Sequence, residues 1–200
     1  MYIAEIHELT NGRRKIVLDD GSSFVLYKGE LAKNNLEVNS EIDACDYKKI
    51  MEEILPKRAK LRGLNLLKSR PYTEYQMRQK YIDGGYPKAV IEEAINYLKN
   101  LKLIDDREYC RVFMIYHSAR KSRKRMANDL MFKGVSRDII DEICAELEAN
   151  GDMTEEEELV KKFIAKRHYD KENASFEEQQ KMLAYLYGKG VSVELARKYL

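Results

Sequence analysis

A methionine stands eight residues ahead of a glycine three times along this 200-residue chain, at Met77–Gly85, Met126–Gly134 and Met182–Gly190. The likeness extends to both sides of each glycine. Four residues after the methionine comes Tyr81, Leu130 or Leu186. Directly after the glycine comes Tyr86, Val135 or Val191, and five residues after it Val90, Ile139 or Leu195. Pro87, Ser136 and Ser192 stand two past each glycine, and all three are helix-starting residues. Apolar positions at helical spacing on both sides of a glycine describe two amphipathic helices joined through a left-handed cap. The copies are offset by 49 and then 56 residues, so the third carries a longer loop. Units of this size cannot bury their apolar faces alone and are expected to stack.

Each copy reads as three helices. The first comprises Ile50–Lys68, Thr73–Tyr81 and Pro87–Asn100, with Thr73-Glu74-Tyr75-Gln76 as a capping box. The second opens at Asp105 or Asp106, runs through His117, restarts near Ser122, turns at Gly134 and continues from Ser136 to Glu148. The third opens on a second box, Thr154-Glu155-Glu156-Glu157, restarts at Ser175-Phe176-Glu177-Glu178 and ends in a short helix from Ser192. Ahead of them the period is that of strands. Ile3–His7, Arg14–Leu18 and Ser23–Tyr27 are separated by Asn11-Gly12 and Asp20-Gly21, the dipeptides of tight hairpins. A short helix is expected over Glu30–Asn34 and an extended stretch near Leu36–Asp43. The fold class is therefore mainly α: three tandem three-helix repeats in an elongated array, preceded by a small N-terminal β element. The expected division is a β-meander extension at 1–48 and repeats at 49–102, 103–150 and 151–200.

The net charge of +2 conceals a segregation. Residues 57–80 carry eight bases against one acid, and residues 107–137 nine bases against two. Residues 138–158 hold ten acids and no base. With 44% hydrophobic and 35% charged residues the chain is too apolar for disorder and too polar for a membrane protein. No run approaches the roughly 18 apolar residues of a spanning helix, and Met1–His7 lacks a basic n-region, so neither a membrane partner nor a signal peptide is expected. A cytoplasmic location follows. Cys45, Cys110 and Cys144 are odd in number and far apart, which argues against a disulfide framework. No Cys or His spacing suits zinc, and no nucleophile–base set or phosphate-cradling loop appears. The expectation is a protein with no metal, no cofactor and no catalytic residues: not an enzyme.

Three segments carry a family likeness. Arg70-Pro71-Tyr72-Thr73-Glu74-Tyr75-Gln76-Met77 follows an arginine, small hydroxyl, Glu-Leu pattern. Leu103-Ile104-Asp105-Asp106-Arg107-Glu108-Tyr109 is similar to an Ile-Asp-Asp-aromatic junction between repeats. Arg120–Met126, Leu130 and Lys133-Gly134-Val135 are similar to a basic Leu-x-x-Lys-Gly-Ile segment. In that order, and with the repeat, they resemble the RecX family, bacterial regulators of the RecA recombinase. The likeness spans about residues 57–200; the β segment resembles extensions of some members. The chain departs from the family pattern at Ser122, where glycine is usual, and at Gln76-Met77, where Glu-Leu is usual. The resemblance implies docking on the RecA filament, with inhibition of strand exchange and ATP hydrolysis. DNA, single- or double-stranded, is a further implied partner, and the chain is expected to act as a monomer.

The candidate partner- or DNA-binding residues are Arg70, Arg78 and Lys80 in the first repeat. In the second they are Arg111, Arg120, Lys121, Arg123, Lys124, Arg125 and Lys133. Five bases within Arg120–Arg125 repel one another and serve no obvious folding need. Tyr72, Tyr75 and Tyr116 lie beside bases and could stack on nucleobases, whereas Tyr81, Tyr86, Tyr97 and Tyr109 read as core. Met77, Met126 and Met182 read as core as well, Asp105 and Asp106 as helix caps, Glu155–Glu158 as partners of a helix dipole, and His117 as a surface histidine. A non-specific single-strand binder acting without a recombinase is the alternative. A sequence-specific helix-turn-helix protein is disfavoured, because the last helices of the units are acidic.

Overall fold

Two tight turns build the N-terminal sheet. Asn11 and Gly12 hold φ of 61° and 70°, and Gly21 holds 80°, conformations that Asn and Gly adopt at the least cost. They fold β1 (Ile3–Glu8), β2 (Arg13–Leu18) and β3 (Ser23–Tyr27) into an antiparallel meander in that order. The register sets Ile6 opposite Ile16 and Ile16 opposite Phe24, so one face is apolar. A short helix, α1 (Lys28–Lys33), follows. The stretch expected to be extended near Leu36–Asp43 forms no strand but lies along the start of β1, with a bridge between Tyr2 and Glu41 and backbone hydrogen bonds from Ile3 to Ser40, from Asn39 to Ile3 and from Ile42 to Met1. The computed structural model describes residues 1–200 and divides into two compact units, Met1–Asp105 and Asp106–Leu200.

In the first unit α2 (Ala44–Lys49) passes through a π-helical turn at Ile50–Ile54 into α3 (Leu55–Ser69). The helical run thus starts before Ile50, because the Asp43 side chain accepts from the Asp46 N–H at 2.8 Å and caps it. α4 (Glu74–Ile82) begins at the expected capping box of Thr73 and Gln76, and α5 (Lys88–Asn100) begins after Pro87. Ile16 and Phe24 from the sheet share one core with Leu55, Met77, Tyr81 and Ile95 from the helices. The sheet is therefore covered by the first three-helix repeat. The buried Tyr81 hydroxyl donates to the Ala59 carbonyl at 3.0 Å, and burial pushes its pKa up to about 12. Gly63 of α3 lies directly beneath it: a Cβ there would strike the Tyr81 hydroxyl and come within 2.6 Å of Leu98 Cδ1.

The second unit holds two further three-helix sets, each with its own apolar cluster. One is α6 (Asp106–His117), α7 (Arg123–Phe132) and α8 (Arg137–Asn150); the other is α9 (Glu156–Lys166), α10 (Phe176–Gly188) and α11 (Val193–Tyr199). Gly85, Gly134 and Gly190 adopt φ of 72°, 85° and 83°, the left-handed turns that the repeat requires. Met77, Met126 and Met182 are 0%, 1% and 6% exposed, which makes them core residues. Asp106 opens α6 and Asp105 precedes it, the positions of a helix start. The box expected at Thr154 does not form. Glu155 occupies the cap of α9 without a side-chain bond, the Thr154 N–H donates to Ser118 Oγ, and the Glu157 carboxylate, which would close the box, accepts from the Tyr199 hydroxyl at 2.6 Å. Tertiary partners win over the local motif. The box expected at Thr73 forms, and Ser175, expected only as a helix start, closes one with Glu178.

Candidate partner interface

Helices α6 and α8 face one another with opposite charge. Arg107 donates to both carboxylate oxygens of Glu142 at 2.6 and 2.8 Å, and Arg111 to both of Glu146 at 2.8 and 2.9 Å. Each pair is separated by 35 residues, so the two helices run in the same direction in constant register. Two-toothed guanidinium–carboxylate pairs of this kind are the strongest surface ion pairs. Arg123 extends the series at the start of α7. Its side chain pairs with Glu148 and lies 3.7 Å from Glu156, and its backbone N–H donates to Glu156 at 3.0 Å. Part of the acidic stretch therefore neutralises part of the basic one.

These pairs make acid sensitivity a fold property. Hydrogen bonds from Arg107 and Arg111 hold the Glu142 and Glu146 carboxyls below the usual carboxylate range. A lowered folded-state value adds stability that is present above the unfolded value of about 4.3 and lost as pH falls through the folded one. Thermal unfolding followed by circular dichroism should therefore lose its contribution from α6–α8 only below about pH 4. Glu142→Gln with Glu146→Gln should flatten that limb of the profile, and an unchanged profile would refute the assignment.

The remaining bases of the cluster have fewer obligations. Lys121 donates to Asp129 at 2.8 Å and lies 5.3 Å from the Phe113 ring centroid. Lys133 is half-buried over the same ring at 6.0 Å. Arg125 reaches Asp129 only at 3.5 Å, and its side chain is 61% exposed against 28% for Arg123. Lys124 is exposed, makes no ion pair and lies 5.5 Å from the centroid of Tyr187. Arg120 is exposed between α6 and α7. Arg120, Lys124 and Arg125 thus form the solvent-facing remainder. Ser122, which stands where glycine is usual in the resemblance, is fully buried. Its Oγ accepts from the Arg125 N–H and donates to the Lys189 carbonyl at 2.8 Å, fixing the start of α7 against the turn before α11.

In the first unit Arg78 is committed to the fold. It donates to both oxygens of Glu92 at 2.6 and 2.9 Å and to Glu74 at 2.9 Å, and Lys99 shares Glu74 at 2.8 Å. Burial raises the Glu74 carboxyl, but the bonds from Lys99 and Arg78 outweigh it and hold it low. Arg70 lies 4.5 Å over the ring of Tyr72. Tyr72 is only 7% exposed, so it cannot stack on a base as its position beside arginine suggests. Tyr75 and Tyr116 are exposed. Lys80 is half-buried, and its carbonyl accepts from Arg62 at 3.4 Å.

His117 is half-buried rather than free on the surface. Its ring lies 4.3 Å from Phe113, and burial, then Lys121, lower its pKa against the opposing pull of Asp129. Burial pushes the Cys110 and Cys144 thiols up to about 11, which leaves them protonated and poor nucleophiles. No three His, Cys, Asp or Glu side chains converge on a site for a metal ion, and no helix is long and apolar enough to cross a membrane. Glu156, read from the sequence only as a partner of the helix dipole, is bound by Arg123, and Tyr187, which the sequence did not single out, lies beside Lys124.

The arrangement has known counterparts. A family model described as RecX, first three-helix domain, matches residues 59–98. The chain is 26% identical over 200 residues to a regulatory protein RecX of Clostridium beijerinckii, covering 98% of this chain and 92% of that one. It is 30% identical over 139 residues to a regulatory protein RecX of Clostridium tetani, covering 69% of this chain and 64% of the other. A crystal structure of regulatory protein RecX superposes with a TM-score of 0.64 at 23% identity, covering 98% and 97% of the two chains. A crystal structure of RecX from Lactobacillus salivarius superposes with a TM-score of 0.59 at 20% identity, covering 72% of this chain and 94% of that one. These two structures show that the fold is shared.

Proposed function

Because the chain belongs to the RecX family of regulatory proteins, we propose that it binds the RecA recombinase filament. Binding there modulates, and mostly inhibits, filament assembly, ATP hydrolysis and strand exchange in recombination and DNA repair. One observation carries the reading. The first turn of α7 holds Arg123, Lys124 and Arg125 and no acid. Cations at a helix N-terminus oppose the helix dipole. Arg123 has its two carboxylates, but Arg120 and Lys124 make no ion pair and Arg125 only a 3.5 Å approach to Asp129, too little to justify their place. They suit an anionic partner. We read the repeats at 49–102, 103–150 and 151–200 as successive docking modules of a monomer. Several weak contacts to adjacent subunits of a filament would then sum to tight binding. The protein acts in the cytoplasm, and the proposal needs no cofactor and no catalytic residue.

The exposed Tyr116, four residues before Arg120 in sequence, favours a second reading, a non-specific single-strand binder that needs no recombinase. Affinity for recombinase-coated single strands and for bare DNA, each over a salt titration, separates the two. Tighter binding to the coated strand, by about tenfold or more at physiological salt, is expected. Equal affinities with equal salt slopes would replace the regulator with the single-strand binder.

A further inference from the structure

Beside the basic cluster, within the second unit, a groove of about 340 Å³ opens between α7, α8 and the turn that joins α10 to α11. That places it in the size range of roughly 300–1,000 Å³ typical of ligand pockets. Its position follows from the turn itself. Gly190 holds φ of 83°, and the preceding Lys189 carbonyl is bonded by Ser122 at 2.8 Å, which draws the turn against the start of α7. The floor is apolar: Met114, Ala127, Ile140 and Val191 are 1%, 6%, 1% and 1% exposed. Tyr187, 60% exposed, forms one wall, and Lys124 stands 5.5 Å from its ring centroid.

The charges around the groove are unequally available. Arg123 is held by Glu148 and Glu156, and Arg137 donates to Asp141 at 2.8 Å. Both lining arginines and both lining carboxylates are therefore spent on one another. Lys124 alone has no ion pair. A nucleic-acid backbone offers a charge at every step and no aliphatic side chain, so it would gain from one cation and nothing from the floor. A peptide segment with an apolar side chain next to a carboxylate uses both. We propose that this groove is the anchor site for such an acidic, apolar segment on the protein surface of the partner filament. The proposal rests on the regulator reading above and adds the chemistry of the contact. The side chain is buried on the four floor residues, and the carboxylate meets Lys124 beside Tyr187. Side chains that fill a well-packed, desolvated pocket ringed by water-excluding contacts carry most of an interface's binding energy.

The test uses the full chain, with recombinase assembled on a labelled single strand as one probe and the same bare strand as the other. Tyr187→Ala removes the wall, and Ala127→Met fills the floor; neither changes charge. Circular dichroism and thermal melting establish that each is folded. Tyr187 is exposed, so that variant is expected to fold even if the filled core of Ala127→Met does not. Both folded variants should bind filaments at least about tenfold more weakly, a loss of about 1.4 kcal/mol, with bare-strand binding unchanged. Parent-like filament binding by folded Tyr187→Ala would overturn the groove assignment alone. An equal loss on bare strand would give the groove to nucleic acid and overturn it as well. A parent protein that fails to bind filaments would remove the regulator reading and this inference together.

Discussion

Replacing Arg120, Lys124 and Arg125 together by glutamate should leave a folded protein that no longer restrains recombinase filaments. The three side chains carry little of the structure. Arg120 and Lys124 are exposed and make no ion pair, and Arg125 reaches Asp129 only at 3.5 Å. Exposed substitutions usually shift stability by about ±0.5 kcal/mol each. Glutamate at 125 would face Asp129 one helical turn away, a like-charge pair costing about 0.2–0.5 kcal/mol. Glutamates in the first turn of α7 would also favour the helix dipole, where the native bases oppose it. The melting temperature should therefore change little. A multivalent contact would lose three attractive charges and gain three repulsive ones, so inhibition of filament assembly and ATP hydrolysis should fall by more than about tenfold. Undiminished inhibition by the folded triple variant would remove the docking role of this cluster. Arg123→Glu is the contrasting change. It confronts Glu148 and Glu156 with a third carboxylate, so its loss would report on the fold and not on docking. The same distinction holds in the first unit, where Arg78→Glu would set a third carboxylate against Glu74 and Glu92.

A larger effect on stability is expected at Gly63. A valine there would drive its side chain into the Tyr81 hydroxyl and into Leu98, both fully buried. Neither can yield easily: Tyr81 is bonded to the Ala59 carbonyl, and Leu98 lies within the core shared by the sheet and helices. Overpacking of this kind costs about 1–3 kcal/mol and occasionally more, against a gain of well under about 1 kcal/mol from replacing a helical glycine. The urea midpoint should fall without a change in m-value. Gly63→Ala should be milder, and combining it with Tyr81→Phe, which removes the struck oxygen, should cost less than the two changes separately. Strict additivity, or a stabilised Gly63→Val, would show that α3 and α4 do not approach closely at this point.

Much of this architecture is encoded locally. Met77, Met126 and Met182, with Gly85, Gly134 and Gly190, specify which face is buried and where the backbone must turn left-handed, and both facts are visible within a dozen residues. Ser122, Ser136, Ser175 and Ser192 cap the helices they precede for the same reason. The ion pairs are different. Arg111 and Glu146 lie 35 residues apart, and their meeting depends on α6 and α8 running in register. A run of bases therefore looks uniform in sequence although some are neutralised and others are not. Arg78 and Arg123 could not be separated from Lys124 without the partners. Thr154 shows the converse, a good local motif defeated by Ser118 and Tyr199, which are distant in sequence. Tyr72 looked like a stacking residue because arginine adjoins it in sequence, but its ring is needed in the core. The groove beside Tyr187 has no local signature, since its lining comes from several helices and a turn.

The longer third copy has a consequence for how such a chain can be altered. Residues 167–175 join α9 to α10, whereas residues 118–122 suffice between α6 and α7. The added segment closes on itself, with Asp170 accepting from the Glu172 N–H and from the Asn173 amide, while Ser175 still caps α10 and Gly190 still makes its turn. Length is absorbed where the chain returns to the same starting point, and doubling a loop adds only about 0.6 kcal/mol of closure entropy. The Asp170–Asn173 bend is thus the place in the second unit where a fluorophore or an affinity handle can be grafted with the helices left in register. A reporter at that bend would sit outside the Arg120–Arg125 cluster whose binding it is meant to follow.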